Sequence, residues 1–384
     1  TVISIYASGL YIGSGIGIFI GGLIVDNWNN AYPIISEAPF GLKGWQVAFM
    51  AVGIPGMLLA LLTWQIKEPP RGLSEGLISS ESKNPLKETF KELVGLTPFG
   101  LVGSDNFKKE LSINIIFTVL IFLASYYLYV LTGDFLQWTA FGIGVYVICN
   151  WIHGLKNRDP VAFLLIFKSK ALLLGLLSFP FITFVTYALG AFGPSFYIRN
   201  FSMTATEVGI IYGLITVFGS MIGVICGGIL GDKLRETYVN GKLYLIMASA
   251  VLTGVTAIGF IHSENLVASF TWKFVYHIAS TAWLGCAAST VTELVLPRLR
   301  AVASAFFILM LSMIGLALGP YLTGMVSDIY INSGLLPGPA LKNAMTLTLV
   351  VLVLPFGLLA VACKYLKNDE AEIYEKARSL GEEI

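Results

Sequence analysis

The sequence predicts an all-α, polytopic membrane protein with about ten transmembrane helices, and three observations carry that expectation. The first is composition. The chain has 384 residues, 56% hydrophobic and only 12% charged, where soluble domains carry about 25% charge. The second is spacing. Apolar runs recur near the ~20 residues that a bilayer requires, and open strands cannot satisfy their backbone in lipid, so the runs are read as helices. The third is the alternation of basic residues between successive connections, which sets the topology.

The runs lie at about Ile3–Val25, Trp45–Ile66, Leu111–Thr132, Phe135–Leu155, Ala171–Tyr197, Thr206–Leu230, Leu243–Ile261, Ser269–Leu294, Val302–Val326 and Ala344–Leu366. With both termini placed in the cytoplasm, the inner segments hold seven Lys and Arg between Lys67 and Lys109 and four between Lys156 and Lys170. Further along they hold Lys233, Arg235, Lys242, Arg298 and Arg300, then four from Lys364 to Arg378. The outer loops hold Lys43, Arg199 and Lys342. Twenty against three is a strong positive-inside signal. Lys273, within a run, reads as snorkelling to the outer surface. The cysteines Cys149, Cys226, Cys286 and Cys363 lie in or beside apolar runs and read as buried small hydrophobes.

The first run and its successor are followed by a polar linker, residues 67–110, in which Asn84 and Pro85 suggest the start of a short amphipathic helix. Leu86, Phe90, Leu93 and Val94 form its apolar stripe. Residues 111–155 then form a two-helix hairpin with a tight turn near Gly133 and Asp134. Asn150, Trp151 and His153 near its end read as polar packing or interface anchors.

The most informative run is Thr206–Glu236. Thr204 and Glu207 make a capping box at its start. Gly209, Gly213, Gly219, Gly223 and Gly227 form a small-residue edge that lets membrane helices approach closely. The run ends in Gly228-Ile229-Leu230-Gly231-Asp232-Lys233.

The chain also repeats itself. Gly13, Gly17, Gly22 and Asp26 have the spacing of Gly315, Gly319, Gly324 and Asp328. Ile54-Pro55-Gly56-Met57-Leu58-Leu59-Ala60 matches Leu354-Pro355-Phe356-Gly357-Leu358-Leu359-Ala360. The first two runs are therefore expected to be counterparts of the last two.

A glycine-edged helix feeding G-x-L-G-D-K resembles the loop between the second and third helices of each half of a major facilitator superfamily transporter. It departs from the family pattern after Lys233, where Leu234-Arg235-Glu236 stands in place of Gly-Arg-Arg. Three further pieces look like the Spinster-like branch: Lys67-Glu68-Pro69-Pro70-Arg71-Gly72, the stretch from Thr183 to Gly190 followed by Pro194-Ser195-Phe196 and Arg199, and the glycine row from Gly209 to Gly228. The resemblance implies two six-helix halves. Residues 1–66 would be the last two helices of the N-terminal half, preceded by four helices before Thr1. Residues 111–155 would be an insertion, residues 156–366 the C-terminal half and residues 367–384 a cytoplasmic tail.

The resemblance also implies roles. The loop charges Asp232, Lys233 and Arg235, with Glu293 and Arg298, would form a gate. In that gate Asp232 caps the helix starting near Val302, and Glu293 pairs with Arg235 or Arg298. Thr183, Thr186, Tyr187, Tyr212, Tyr276, His277, Thr281 and Trp283 would line a central cavity for a substrate. Hydroxyls of single threonines are equally read as bonds to their own helix. Gly9, Gly13 and Gly17 would meet Gly213, with Gly219, Gly223 and Gly227, where the fifth and eighth helices of the family cross.

The function expected from the resemblance is secondary active transport of a small amphipathic organic molecule, lipid-like in some relatives, driven by a proton gradient. An organic anion, sugar acid or peptide is the alternative substrate, and a non-transporting scaffold or receptor the alternative class. The chain shows no Walker motif and no nucleophile in a recognisable elbow, so it is not read as an enzyme. No cofactor, metal or nucleic-acid partner is expected. The complete protein is read as a monomer in the plasma or bacterial inner membrane.

Overall fold

The computed structural model describes residues 2–67 and 107–378, with Asn84, Leu86, Phe90, Leu93, Val94 and Thr97 between them. All the regular structure among these is helical. Leu86, Phe90, Leu93 and Val94 are helical, as the apolar stripe predicts, but the rest of that linker helix lies outside the described residues. The chain divides into two compact units, Thr1–Gly53 with Leu164–Ile384, and Ile54–Phe163.

In the larger unit, α1 (Val2–Ala31) leads into α2 (Gly44–Trp64), which continues beyond the unit. The Trp28 indole donates to the Leu42 carbonyl at 2.8 Å and ties the connection down. After α5 (Pro160–Phe167) come α6 (Lys170–Phe201), α7 (Ala205–Thr237) and α8 (Gly241–His262). The expected capping box opens α7, with Thr204 and Glu207 bonding reciprocally. The long run at Thr206–Glu236 is thus one helix, within a residue of its expected ends. α6 runs on through Pro180 and Pro194.

The expected span Ser269–Leu294 is two helices, α9 (Leu266–Thr281) and α10 (Leu284–Glu293), separated by a turn at Ala282 and Trp283. The break sits where the chain is held against α7. The Thr281 hydroxyl donates to the Ser220 carbonyl, and a Cβ on Gly227 would collide with the Ala282 carbonyl oxygen. The expected span Val302–Val326 is likewise divided. α11 (Arg300–Met310) passes through a π-helical segment, Leu311–Leu316, into α12 (Ala317–Asn332). α13 (Pro337–Thr348) and α14 (Val353–Ala362) are joined by a 3₁₀ turn. Two short helices, α15 (Leu366–Ala371) and α16 (Ile373–Arg378), close the described chain. Among the described residues nine helices are long and apolar enough to cross a bilayer. The tenth expected span is the divided pair α9 and α10.

Packing in this unit has two centres. α7 lies against α1, α8 and α9, and α6 lies against α12, α13, α14 and the π segment. The glycines explain the first centre, with a change from expectation. Gly219, Gly223 and Gly227 admit the backbone of α9 and its following turn rather than α1. The contact with α1 is made by Gly209 and Gly213, against Gly22 and Gly15. A Cβ on Gly213 would stand 2.8 Å from the Gly15 carbonyl oxygen, and one on Gly22 would stand 2.9 Å from that of Ala205. Gly13 and Gly17 have open space before them. They face a different side of α1, because a helix turns 100° per residue and two residues separate Gly13 from Gly15. In the π segment and α12 the space before their sequence counterparts is filled. Gly315 meets the Thr183 side chain and Gly319 the Phe184 carbonyl.

The smaller unit contains α3 (Phe107–Thr132) and α4 (Phe135–Arg158), joined at Gly133 and Asp134 as the sequence predicts. Gly133 has φ 81°, a left-handed conformation that suits glycine. The two helices approach closely at Gly142, where a Cβ would strike the Ser125 hydroxyl. A polar ladder joins them. Asn114 donates to the Asn150 side chain at 2.9 Å and accepts from the Tyr146 hydroxyl at 3.1 Å. Asn150 donates to the Thr97 carbonyl at 3.2 Å. Glu110 pairs with His153 and accepts from Asn157 at 3.2 Å. Asn150 and His153 are therefore helix-to-helix contacts.

Candidate functional site

The expected cavity residues fall into separate groups. Tyr212, Tyr276 and His277 form the one close cluster. Their rings meet edge to face, with centroids 5.9 Å apart for Tyr212 and His277 and 5.5 Å for Tyr276 and His277. All three side chains are buried. The glycine edge of α7 makes this possible, because a Cβ on Gly219 would lie 2.8 Å from that of His277. Tyr197 of α6 extends the cluster, 6.2 Å from Tyr212, and shares a hydrogen bond with Ser269 at 3.1 Å.

Two hydroxyls of α7 hold the imidazole. The Thr216 hydroxyl donates to the Tyr212 carbonyl at 2.8 Å and lies 3.4 Å from His277 Nε2. The Ser220 hydroxyl lies 3.1 Å from Nδ1.

Of the remaining expected residues, Thr281 borders this cluster and the others lie elsewhere. Thr183 and Thr186 donate to the carbonyls of Pro180 and Thr183, at 2.8 Å and 3.1 Å. Thr281 donates to the carbonyls of His277 and Ser220 at 2.8 Å and 3.1 Å. These hydroxyls are engaged with backbone, as small side chains in membrane helices commonly are. Thr183 also abuts Gly315 in the π segment, so α6 and the irregular turn of the next helix interlock there. Trp283 is buried in an apolar group, stacked 6.0 Å from Phe179, which in turn meets Phe307. Tyr187 is 43% exposed, and Tyr11 of α1 lies within electrostatic range of it.

Lys273 departs most from expectation. It does not snorkel. It is 0% exposed, and its ammonium nitrogen lies over the rings of Phe260, Tyr276 and Tyr212 at 4.2, 4.4 and 4.9 Å. Burial of Phe260 and Tyr212 beneath α9 turns the amine inward, which spacing along one helix does not reveal. Cys226 also departs from expectation and is exposed, whereas Cys286 is buried.

The expected gate residues lie at the basic end of the larger unit, with a different pairing. Glu293 pairs with Lys242, which is itself buried. Arg235 forms a forked pair with Glu370, at 2.7 Å and 2.6 Å, and also donates to the Val239 carbonyl. Asp232, Lys242 and Glu293 all lie within electrostatic range of Cys286. Asp232, Lys233 and Arg298 are exposed.

The sequence reading missed the part played by the tail. Asp369 is buried and accepts from the Ala171 amide at 2.8 Å and the Ser169 hydroxyl at 3.0 Å, capping α6. An acid at a positive helix end is favourable. The tail therefore holds α6 through Asp369 and α7 through Glu370. At the opposite end Asp26 of α1 accepts from the Thr206 amide at 2.7 Å and caps α7. Asp26 was visible only as a member of the repeat, since a cap from a distant helix has no local spacing signal.

Comparison with known proteins agrees with this geometry. Residues 1–320 match the family model of the Major Facilitator Superfamily. An "MFS-type efflux pump" of Mycolicibacterium smegmatis is 30% identical over 201 residues, covering 52% of this chain and 45% of the relative. Protein spinster of Drosophila melanogaster is 26% identical over 173 residues, covering 42% of this chain and 28% of the relative. The chain thus spans less than half the length of these relatives. The crystal structure of a bacterial homologue of the human lysosomal transporter Spinster, inward-facing and unoccupied, superposes with a TM-score of 0.52 at 20% identity, over 97% of this chain and 71% of that one. The chain belongs to the Major Facilitator Superfamily and is Spinster-like within it.

Proposed function

We propose that the full-length protein is a secondary active transporter that moves a small amphipathic organic molecule by alternating access, coupled to protons. The observation that carries this reading is the seam between α1 and α7. Gly15 and Gly22 meet Gly213 and Gly209 almost backbone to backbone. Under the family's plan α1 belongs to the N-terminal half and α7 to the C-terminal half. A seam of small residues has few interlocking side chains to unlock when two halves rock.

The cluster of Tyr212, Tyr276 and His277 supplies aromatic faces and polar edges to such a molecule once the helices part. At the basic end, Asp232, Lys233, Arg235, Glu293 and Arg298 form the gate in this reading. Its described pairs, Lys242 with Glu293 and Arg235 with Glu370, are ones that an opening motion breaks.

The test is counterflow into liposomes holding the full-length protein. Radiolabelled amphipathic probes with cationic, zwitterionic and anionic heads are offered in turn. Saturable exchange of at least one, slowed by Asp232→Asn, supports the reading. No saturable exchange of any probe sinks it and favours a scaffold.

A further inference from the structure

The core of the larger unit buries an amine that nothing described pairs. Lys273 is fully buried, and its Nζ has no hydrogen-bond partner among the described residues. Three rings enclose it, Phe260 from α8, Tyr212 from α7 and Tyr276 from α9 itself.

Among the described residues no acid faces it from any packed element. α6 contributes Tyr197, whose hydroxyl is shared with Ser269. α7 contributes Tyr212, with Thr216 and Ser220 behind it on His277. α8 contributes the Phe260 ring, and α9 contributes Tyr276 and His277. Tyr11 of α1 stands within electrostatic range of Tyr276.

A buried ammonium without a counter-ion is disfavoured by the loss of its hydration, and ring faces return only part of that loss. Neither the charged nor the neutral amine is then fixed by its surroundings. A salt bridge would lock the proton on, and a purely apolar pocket would keep it off. The aromatic cage does neither. Ionisable groups inside membrane helices are functional far more often than ornamental.

We propose that Lys273, with His277 one turn further along α9, is a proton-binding site of this half of the protein. The reaction is the simplest possible. The amine lone pair takes a proton from water admitted when α7, α8 and α9 separate, and returns it to water when they separate toward the other side. Only an N–H bond forms or breaks. His277 shares the pocket through Tyr212 and Tyr276, so a charge on Lys273 opposes a second proton on the ring. The use of this site in a transport cycle rests on the function proposed above. The existence of the site does not.

Two measurements test it, both on the full-length protein. The first is NMR titration of ¹³Cε-labelled lysine in detergent from about pH 5 to pH 11, with the Lys273 resonance assigned by its loss in Lys273→Arg. A single titration separate from the other lysines, unmoved by added phosphate, supports the site. Titration together with the surface lysines, no titration at all, or a midpoint that follows phosphate overturns it, the last marking an anion site instead. The second is uptake into liposomes of whichever probe the counterflow assay identifies. A pH gradient should drive accumulation in wild type, and Lys273→Met should lower accumulation, measured relative to the same variant's gradient-free counterflow, about tenfold or more. Gradient-driven accumulation that survives in Lys273→Met overturns the coupling role. If wild type shows no counterflow, the transport reading has failed, and the titration still decides the site alone.

Discussion

Each unit of this protein buries a polar cluster, and the two are built on opposite rules. In the hairpin of α3 and α4 the groups answer one another. Glu110 has His153 and Asn157, and Asn114 has Asn150 and Tyr146. Around Lys273 the rings crowd the amine, yet its Nζ has no partner. A fully reciprocated network fixes one arrangement of two helices. An unreciprocated group leaves free energy that a proton or a rearrangement can draw on. The difference separates a structural use of buried polarity from the functional one proposed for Lys273.

Removing one member from each cluster gives the largest expected contrast. Glu110→Ala strands His153 and Asn157, and is expected to destabilise the full-length protein by about 3 kcal/mol. Lys273→Met removes a group with no partner to strand, so its stability should equal or exceed wild type. Thermal unfolding in detergent checks both. A large loss for Lys273→Met, or none for Glu110→Ala, would reverse the comparison.

Glycine substitutions come next, and they ask whether the cage depends on the helix approach behind it. Gly227→Ala puts a methyl against the Ala282 carbonyl and is expected to cost about 1–3 kcal/mol. Gly13→Ala meets nothing and should be neutral or slightly stabilising, since alanine favours a helix by about 1 kcal/mol. Equal effects in the same assay would mean that α7 does not approach the turn after α9 where the backbone contacts place it.

Asp369→Ala removes the cap on α6 and should cost about 1–2 kcal/mol, with faster proteolysis of the tail as a second readout. Smallest is the amide pair of the ladder. A double-mutant cycle on Asn114→Leu and Asn150→Leu should give a coupling of about 0.6–1.7 kcal/mol. A value near zero would demote the ladder to incidental packing.

Features that depend on local pattern and on the membrane could be read from the residues alone. Hydropathy fixed the spans, because a bilayer of constant thickness demands runs of near-constant length. The Thr204–Glu207 box and the turn at Gly133 were legible because their partners lie within a few residues. The family was legible in the glycine row and the charged loop after it. Tertiary structure decided everything that depends on which face of a helix meets which neighbour. It divided the spans at Ala282 and at Leu311–Leu316, and chose Gly15 and Gly22 over Gly13 and Gly17 as the glycines of the seam. It gave Glu293 to Lys242 and Arg235 to Glu370, and turned Lys273 into a box of rings supplied by three helices. In lipid the apolar residues that ordinarily report burial are apolar on every side, so the inward face of a membrane helix is set by contacts between helices far apart in the chain.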